Sequence, residues 1–183
     1  MNKMKFALFI IVMTSCFMME PLQSYGLEAI DHDETGELAK TWNIFLEAVA
    51  ANDLKKLRNM SVERIRCLSC LDNTELEERE IEKFKANDPD WYEKLYAEKI
   101  YIPVDTFYRE DYPLIFTKQF IRILKDRTAR YSAESFHGLK IYGVIIATLK
   151  PGELSPGHEG CLYIFQFVRA EKEYKFWGID TIP

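Results

Sequence analysis

Past residue 26 the sequence contains no second long apolar run, no excess of positive charge, no internal repeat and only three cysteines. Each shortage excludes something. A membrane span needs about 20 consecutive apolar residues, so the body of the chain does not read as a membrane protein. With 24 lysines and arginines against 29 aspartates and glutamates, it offers no electrostatic footprint for nucleic acid. Cys67, Cys70 and Cys161 are too few for a disulfide-built scaffold, so the fold has to stand on a hydrophobic core. Their number is odd, which allows one intramolecular bridge at most and leaves a thiol over. Charged residues at 29% and aromatics at 14% describe a folded chain rather than a disordered one.

What is present begins with an address. Lys3 and Lys5 precede an apolar stretch from Phe6 to Met19, the size of a signal-peptide core and short for a bilayer. Glu20-Pro21 ends it, and Ser24-Tyr25-Gly26 supplies the small-x-small pattern that signal peptidase reads. The expected organisation is a signal peptide over 1–26 and one α+β domain over 27–183, exported to the periplasm or beyond the cell. The leader carries Lys3, Lys5 and Glu20, a net of +1, so the remainder stands at −6 against −5 for the whole chain. Two alternatives stay open. Cys16, preceded by Thr14-Ser15, is a candidate lipidation site that would tether the protein to the cell envelope, although Phe17, Met18 and Met19 after it are apolar. An uncleaved anchor is the other.

The body of the chain changes period once. Asp33 caps an expected helix to about Asn52, with Leu38, Trp42, Phe45 and Val49 on one stripe. A second short helix runs from Asn52-Asp53 to about Met60-Ser61, and Ser61 to Asp72 is ambiguous. Thr74 to Glu77 is a capping box opening a Glu-rich, solvated helix that Asn87-Asp88-Pro89 stops. A short helix with Trp91, Leu95 and Tyr96 ends at Pro103, and Asp105 to Asp126 reads as helix with Pro113 a kink or fresh start. From Arg130 the period is two. Strands are expected over 130–136, 140–149, 161–169 and 174–179, with PGELSPGHEG connecting the second to the third. Helices first and an antiparallel meander last predict an α+β fold: N-terminal helices packed on a curved antiparallel sheet, cone-like, with strands mainly in the C-terminal third.

The segments Trp42 to Leu57 (WNIFLEAVAANDLKKL) and Leu162 to Pro183 (LYIFQFVRAEKEYKFWGIDTIP) together resemble the nuclear-transport-factor-2-like (cystatin-like) superfamily. PGELSPGHEG and GIDTIP are similar to segments of a group of exported bacterial proteins with that fold. The helical stretch from Thr74 to Asp126 is longer than the family's usual insertion before the sheet. The resemblance implies a bent sheet wrapped around helices, an apolar pocket within the cone and dimerisation through the sheet. It also implies a superfamily in which isomerases and dehydratases stand beside members without chemistry.

Several constellations carry candidate chemistry. Cys67-x-x-Cys70 and His158-x-x-Cys161 have ligand-like spacing for a tetrahedral zinc site; a Cys67–Cys70 disulfide is the alternative use of the first pair. His158 with Glu159 is a candidate general base in a loop rich in proline and glycine, where both residues also serve as ordinary turn residues. Asp180 at the mouth of an apolar cone is a second candidate base, with Tyr142 or Tyr163 as its oxyanion partner; a strand-end aspartate bonding backbone amides is the plainer role. Trp42, Phe45, Tyr142 and Trp177 are candidate pocket-lining residues among aromatics that otherwise read as core. The acidic run from Glu75 to Glu82 lacks the spacing of a calcium loop, and no cofactor is expected. The leading expectation is an exported, non-enzymatic domain that binds a small apolar ligand or a protein partner. A pocket enzyme of isomerase or dehydratase type, and a structural or interaction protein of the envelope, are the alternatives.

Overall fold

The structure, a computed structural model, describes residues 30–136 and 138–182. The expected signal peptide, with its processing alternatives at Gly26 and Cys16, lies outside the described residues. Helix α1 (His32–Ala51) follows from its periodicity: Leu38, Trp42, Phe45 and Val49 share a face and are all buried. Asp31 caps its start by accepting from the Asp33 amide, and Asn52 ends it in the left-handed conformation at φ 54°. Helix α2 (Leu54–Asn59) follows at once, capped by Asp53, which accepts from the Lys56 amide at 3.0 Å. Both lie within two residues of their expected bounds.

The stretch that local pattern left undecided is strand β1 (Ser61–Cys67), then a 3-10 turn over Ser69–Leu71. A Cys67–Cys70 disulfide closes that turn, with Cα atoms 5.4 Å apart, and Cys161 is the free thiol. Helix α3 (Glu75–Asn87) buries no residue and is the solvated helix that its composition predicts. Thr74 accepts from the Glu77 amide at 3.3 Å and donates its hydroxyl to the Glu77 carboxylate at 2.8 Å. Helix α4 (Trp91–Lys94) continues as a π turn over Leu95–Lys99, and β2 (Tyr101–Pro103) is a strand that the sequence reading did not anticipate. The continuous helix expected over Asp105 to Asp126 is instead α5 (Val104–Thr106), a π turn (Phe107–Asp111), α6 (Tyr112–Ile115) and α7 (Lys118–Asp126). Its break falls at Phe116-Thr117, because the Thr117 hydroxyl accepts from the Phe120 amide and starts a new helix. Pro113 sits in the first turn of α6, where a missing N–H leaves no bond unmade.

Strands β3 (Ala129–Phe136), β4 (Leu139–Leu149), β5 (Cys161–Ala170) and β6 (Glu173–Ile182) form the antiparallel meander. The sheet has six strands in the order β2-β1-β6-β5-β4-β3. Since β1 pairs parallel with β6, the sheet is mixed rather than antiparallel throughout. The fold is α+β.

The helices pack on one sheet face, and Phe45 lies at the centre of that layer. Its ring is 4.8 Å from Phe176, 5.8 Å from Phe167, 5.9 Å from Trp42 and 6.3 Å from Phe116. Two tyrosines tie helices to the layer below with their hydroxyls. Tyr112 donates to the Val49 carbonyl at 3.1 Å, and Tyr108 exchanges a 2.8 Å bond with Ser61. Burial pushes the Tyr108 phenol far above its ordinary range and raises Tyr112 as well.

Candidate functional site

The second sheet face carries the groove. Strand β6 makes it possible through a bulge: Gln166 opposes Gly178 and Phe167 opposes Phe176, which leaves Trp177 as the extra residue. Phe176 therefore turns into the helix-covered core, while Trp177 joins Ile141 and Val168 in a separate apolar cluster. The bulge re-aims one large aromatic from one side of the sheet to the other.

The register then aligns a row of residues across all six strands. Tyr101 opposes Arg66, Arg66 opposes Gly178, Gly178 opposes Gln166, Gln166 opposes Gly143, and Gly143 opposes Ser132. Polar side chains in this row are separated by glycines. Space explains both glycines: a Cβ on Gly178 would lie 2.6 Å from the Arg66 carbonyl oxygen, and one on Gly143 would lie 2.6 Å from the Ser132 Oγ. Apolar side chains flank the row, with Ile145 and Ile164 paired on one side and Ile141 and Val168 on the other. The result is a groove of about 860 Å³ whose described walls come from the strands and Ile30.

Its polar centre is an arginine cluster. The Arg66 Nη1 donates to Asp180 Oδ2 at 3.0 Å and to Gln166 Oε1 at 3.5 Å, and its guanidinium carbon lies 5.8 Å from the Trp177 ring centroid. The Arg66 side chain is 13% exposed, so this is a largely desolvated cation whose charge Asp180 balances. The second Asp180 oxygen accepts from the Thr181 amide at 3.1 Å.

The predicted site residues fall on different sides of this arrangement. Trp177 lines the groove, and so does Asp180. Trp42 and Phe45, expected to line a pocket within the cone, are 3% and 1% exposed and fill the core. Tyr142 faces the same helix layer and donates to Glu34 at 2.9 Å; Lys140 donates to that carboxylate at 2.8 Å and, as the main cause, holds it below the usual range. Tyr163 packs its ring 4.7 Å from Phe120 in the same layer. Neither tyrosine shares a face with Asp180, so the base and oxyanion pair is not assembled, and Asp180 spends its charge on Arg66 instead.

His158 stays in its loop. Its Nδ1 accepts from the Gly160 amide at 2.9 Å, and its carbonyl accepts from the Gly152 amide at 2.8 Å. Those bonds make it a turn residue rather than a base aimed at a cavity. The proposed zinc set is also broken up, because the sulfurs of Cys67 and Cys70 are bonded to each other. Among the described residues no group of three or more histidines, cysteines and carboxylates is placed to hold a metal ion.

Sequence reading missed Arg66, Gln166 and Asp111. Gln166 had a signal: it is the one amide in the otherwise apolar run of β5. Asp111 had none, because nothing local marks an aspartate on a π turn for burial. It is 2% exposed and accepts from Asn73 Nδ2 at 3.0 Å. Burial raises its pKa to about 6 against an ordinary 3.8; the Asn73 bond opposes this, and Glu77 and Glu110 add to it. The folded chain then holds a proton that the unfolded chain releases at lower pH. Stability is greatest below pH 3.8 for this group and is lost as pH rises through about 6, at about 1.4 kcal/mol per unit of pKa displacement. Asp111→Asn is expected to flatten that decline and to raise the urea midpoint at pH 7; an unchanged pH profile in the variant would remove Asp111 as its source.

Comparison with family models, with curated proteins and with solved structures finds no match for this chain. Among the described residues no helix is long and apolar enough to cross a membrane.

Proposed function

We propose that this is an exported binding protein that holds a small apolar ligand on the open face of its sheet. The observation that carries the reading is the groove. Its volume falls within the range of small-molecule sites, and its long walls are aliphatic with a few convergent polar groups at one place. Apolar surface of this kind, left uncovered by the chain's own helices, is ordinarily a binding surface. The site lies on the face opposite the one that the cone expectation indicated, because aromatic side chains fill the helix-covered side.

The Cys67–Cys70 disulfide supports export, since such bridges persist in oxidising compartments. Two helices on a sheet that ends in a four-strand meander support placing the chain with the nuclear-transport-factor-2-like superfamily. The ion pair on Asp180 argues for binding over base catalysis. Nile red, an uncharged apolar dye, is expected to bind with a rise in fluorescence that Ile164→Glu abolishes. A dye response identical in the wild type and in Ile164→Glu would remove the groove as the binding site.

A further inference from the structure

Arg66 is held on one side only. Asp180 and Gln166 both engage Nη1, while Nε and Nη2 take no hydrogen bond among the described residues. The Nε/Nη2 edge of a guanidinium is a flat pair of parallel donors, the pattern that grips both oxygens of a carboxylate. The neighbouring Gln166 is oriented by the same contact. Because its Oε1 faces the Arg66 donor, its Nε2 is turned away, and that nitrogen also has no partner among the described residues. Gln166 is 5% exposed, so the amide is a nearly desolvated donor on the groove floor.

The cluster therefore presents hydrogens and withholds lone pairs. Its own acceptors are already engaged: Asp180 by Arg66 and the Thr181 amide, Gln166 Oε1 by Arg66. Gly143 and Gly178, on either side of Gln166 in the cross-strand row, leave no side chain standing over these donors. Formal charge in the groove cancels, Arg66 and Arg130 against Glu134 and Asp180, so donor geometry and not a net field selects the ligand. From the cluster the aliphatic wall of Ile164, Ile145, Leu162 and Ile182 runs toward one end of the groove.

We infer that the groove takes an aliphatic monocarboxylate, its carboxylate on the Nε/Nη2 edge of Arg66 and the amide of Gln166, its chain along Ile164 and Ile145. This inference rests on the groove being a ligand site and adds the head group. The test is calorimetric titration of the purified protein with dodecanoate, its methyl ester and dodecanol, each below its micelle concentration. Dodecanoate is expected to bind tighter than the other two by about ten- to a hundredfold, the factor that a hydrogen bond to a charged group supplies. Arg66→Gln should erase that preference while keeping affinity for the ester. Gln166→Glu should do so as well, by giving Arg66 a carboxylate of its own, and it guards against a folding defect in the first variant. Equal affinity for all three probes would overturn the head-group assignment and leave the apolar groove standing. Binding of none of them would overturn both.

Discussion

Phe45→Ala is expected to lower the unfolding free energy by about 3–5 kcal/mol, the upper end for a single core truncation. The position explains the size of the effect. Phe45 is 1% exposed and touches rings from α1, from the end of α6, and from β5 and β6. Removing it leaves a void walled by Trp42, Phe116, Phe167 and Phe176, and strand-borne rings are fixed at the backbone and cannot collapse into the gap. Lost ring contacts add about 0.5–1.5 kcal/mol per aromatic pair to the transfer loss. Guanidinium unfolding followed by circular dichroism measures it. A loss under about 1 kcal/mol would mean that the helix layer does not pack on the sheet through this residue.

Gly178→Ala is expected to lose about 1–3 kcal/mol by overpacking, and to weaken groove binding as well. The added methyl would lie 2.6 Å from the Arg66 carbonyl oxygen, 3.0 Å from the Arg66 Cβ and 3.0 Å from the Gln166 Oε1. Two of these three neighbours belong to strand β1, so relief requires β1 and β6 to move apart along their parallel pairing. The same movement drags Arg66 from Asp180. Gly36→Ala supplies the opposite sign: it is helical, with nothing within 4 Å of the new Cβ. That change should stabilise by about 0.5–1 kcal/mol. If Gly178→Ala matches wild type in both melting and ligand titration, the close approach of β1 to β6 is not a constraint.

How much could be read in advance depended on whether the deciding interaction was local. Helices α1 and α2 were legible because Asp31, Asp53 and Asn52 cap them within a few residues and the stripe from Leu38 to Val49 is continuous. The β4, β5 and β6 strands announced themselves through β-branched and aromatic alternation. Strand β1 did not, because SVERIRC lacks a clean alternation and becomes a strand only through its distant partners β2 and β6. Tyr101–Pro103 was hidden the same way. The site followed this division. Trp177 and Asp180 were identifiable as unusual, yet the face they occupy depends on a bulge that no periodicity displays. Trp42, Phe45 and Tyr142 were sorted with Trp177 because composition cannot distinguish two sides of one sheet. Arg66 was overlooked for lack of any local motif; its role arises from Asp180, 114 residues away in sequence.

The parallel pairing of β1 with β6 has a kinetic side. The earliest strand occupies the interior of the sheet, and its inner neighbour is the latest strand to be synthesised. Helices α1 and α2 can form while the chain is still growing, since their contacts are short-range. The middle of the sheet cannot, because closing a loop of such length precedes any reward from the contacts it brings together. Residues 173–182 act as the keystone of the assembly, and until they arrive β1 has backbone amides and carbonyls open on that side.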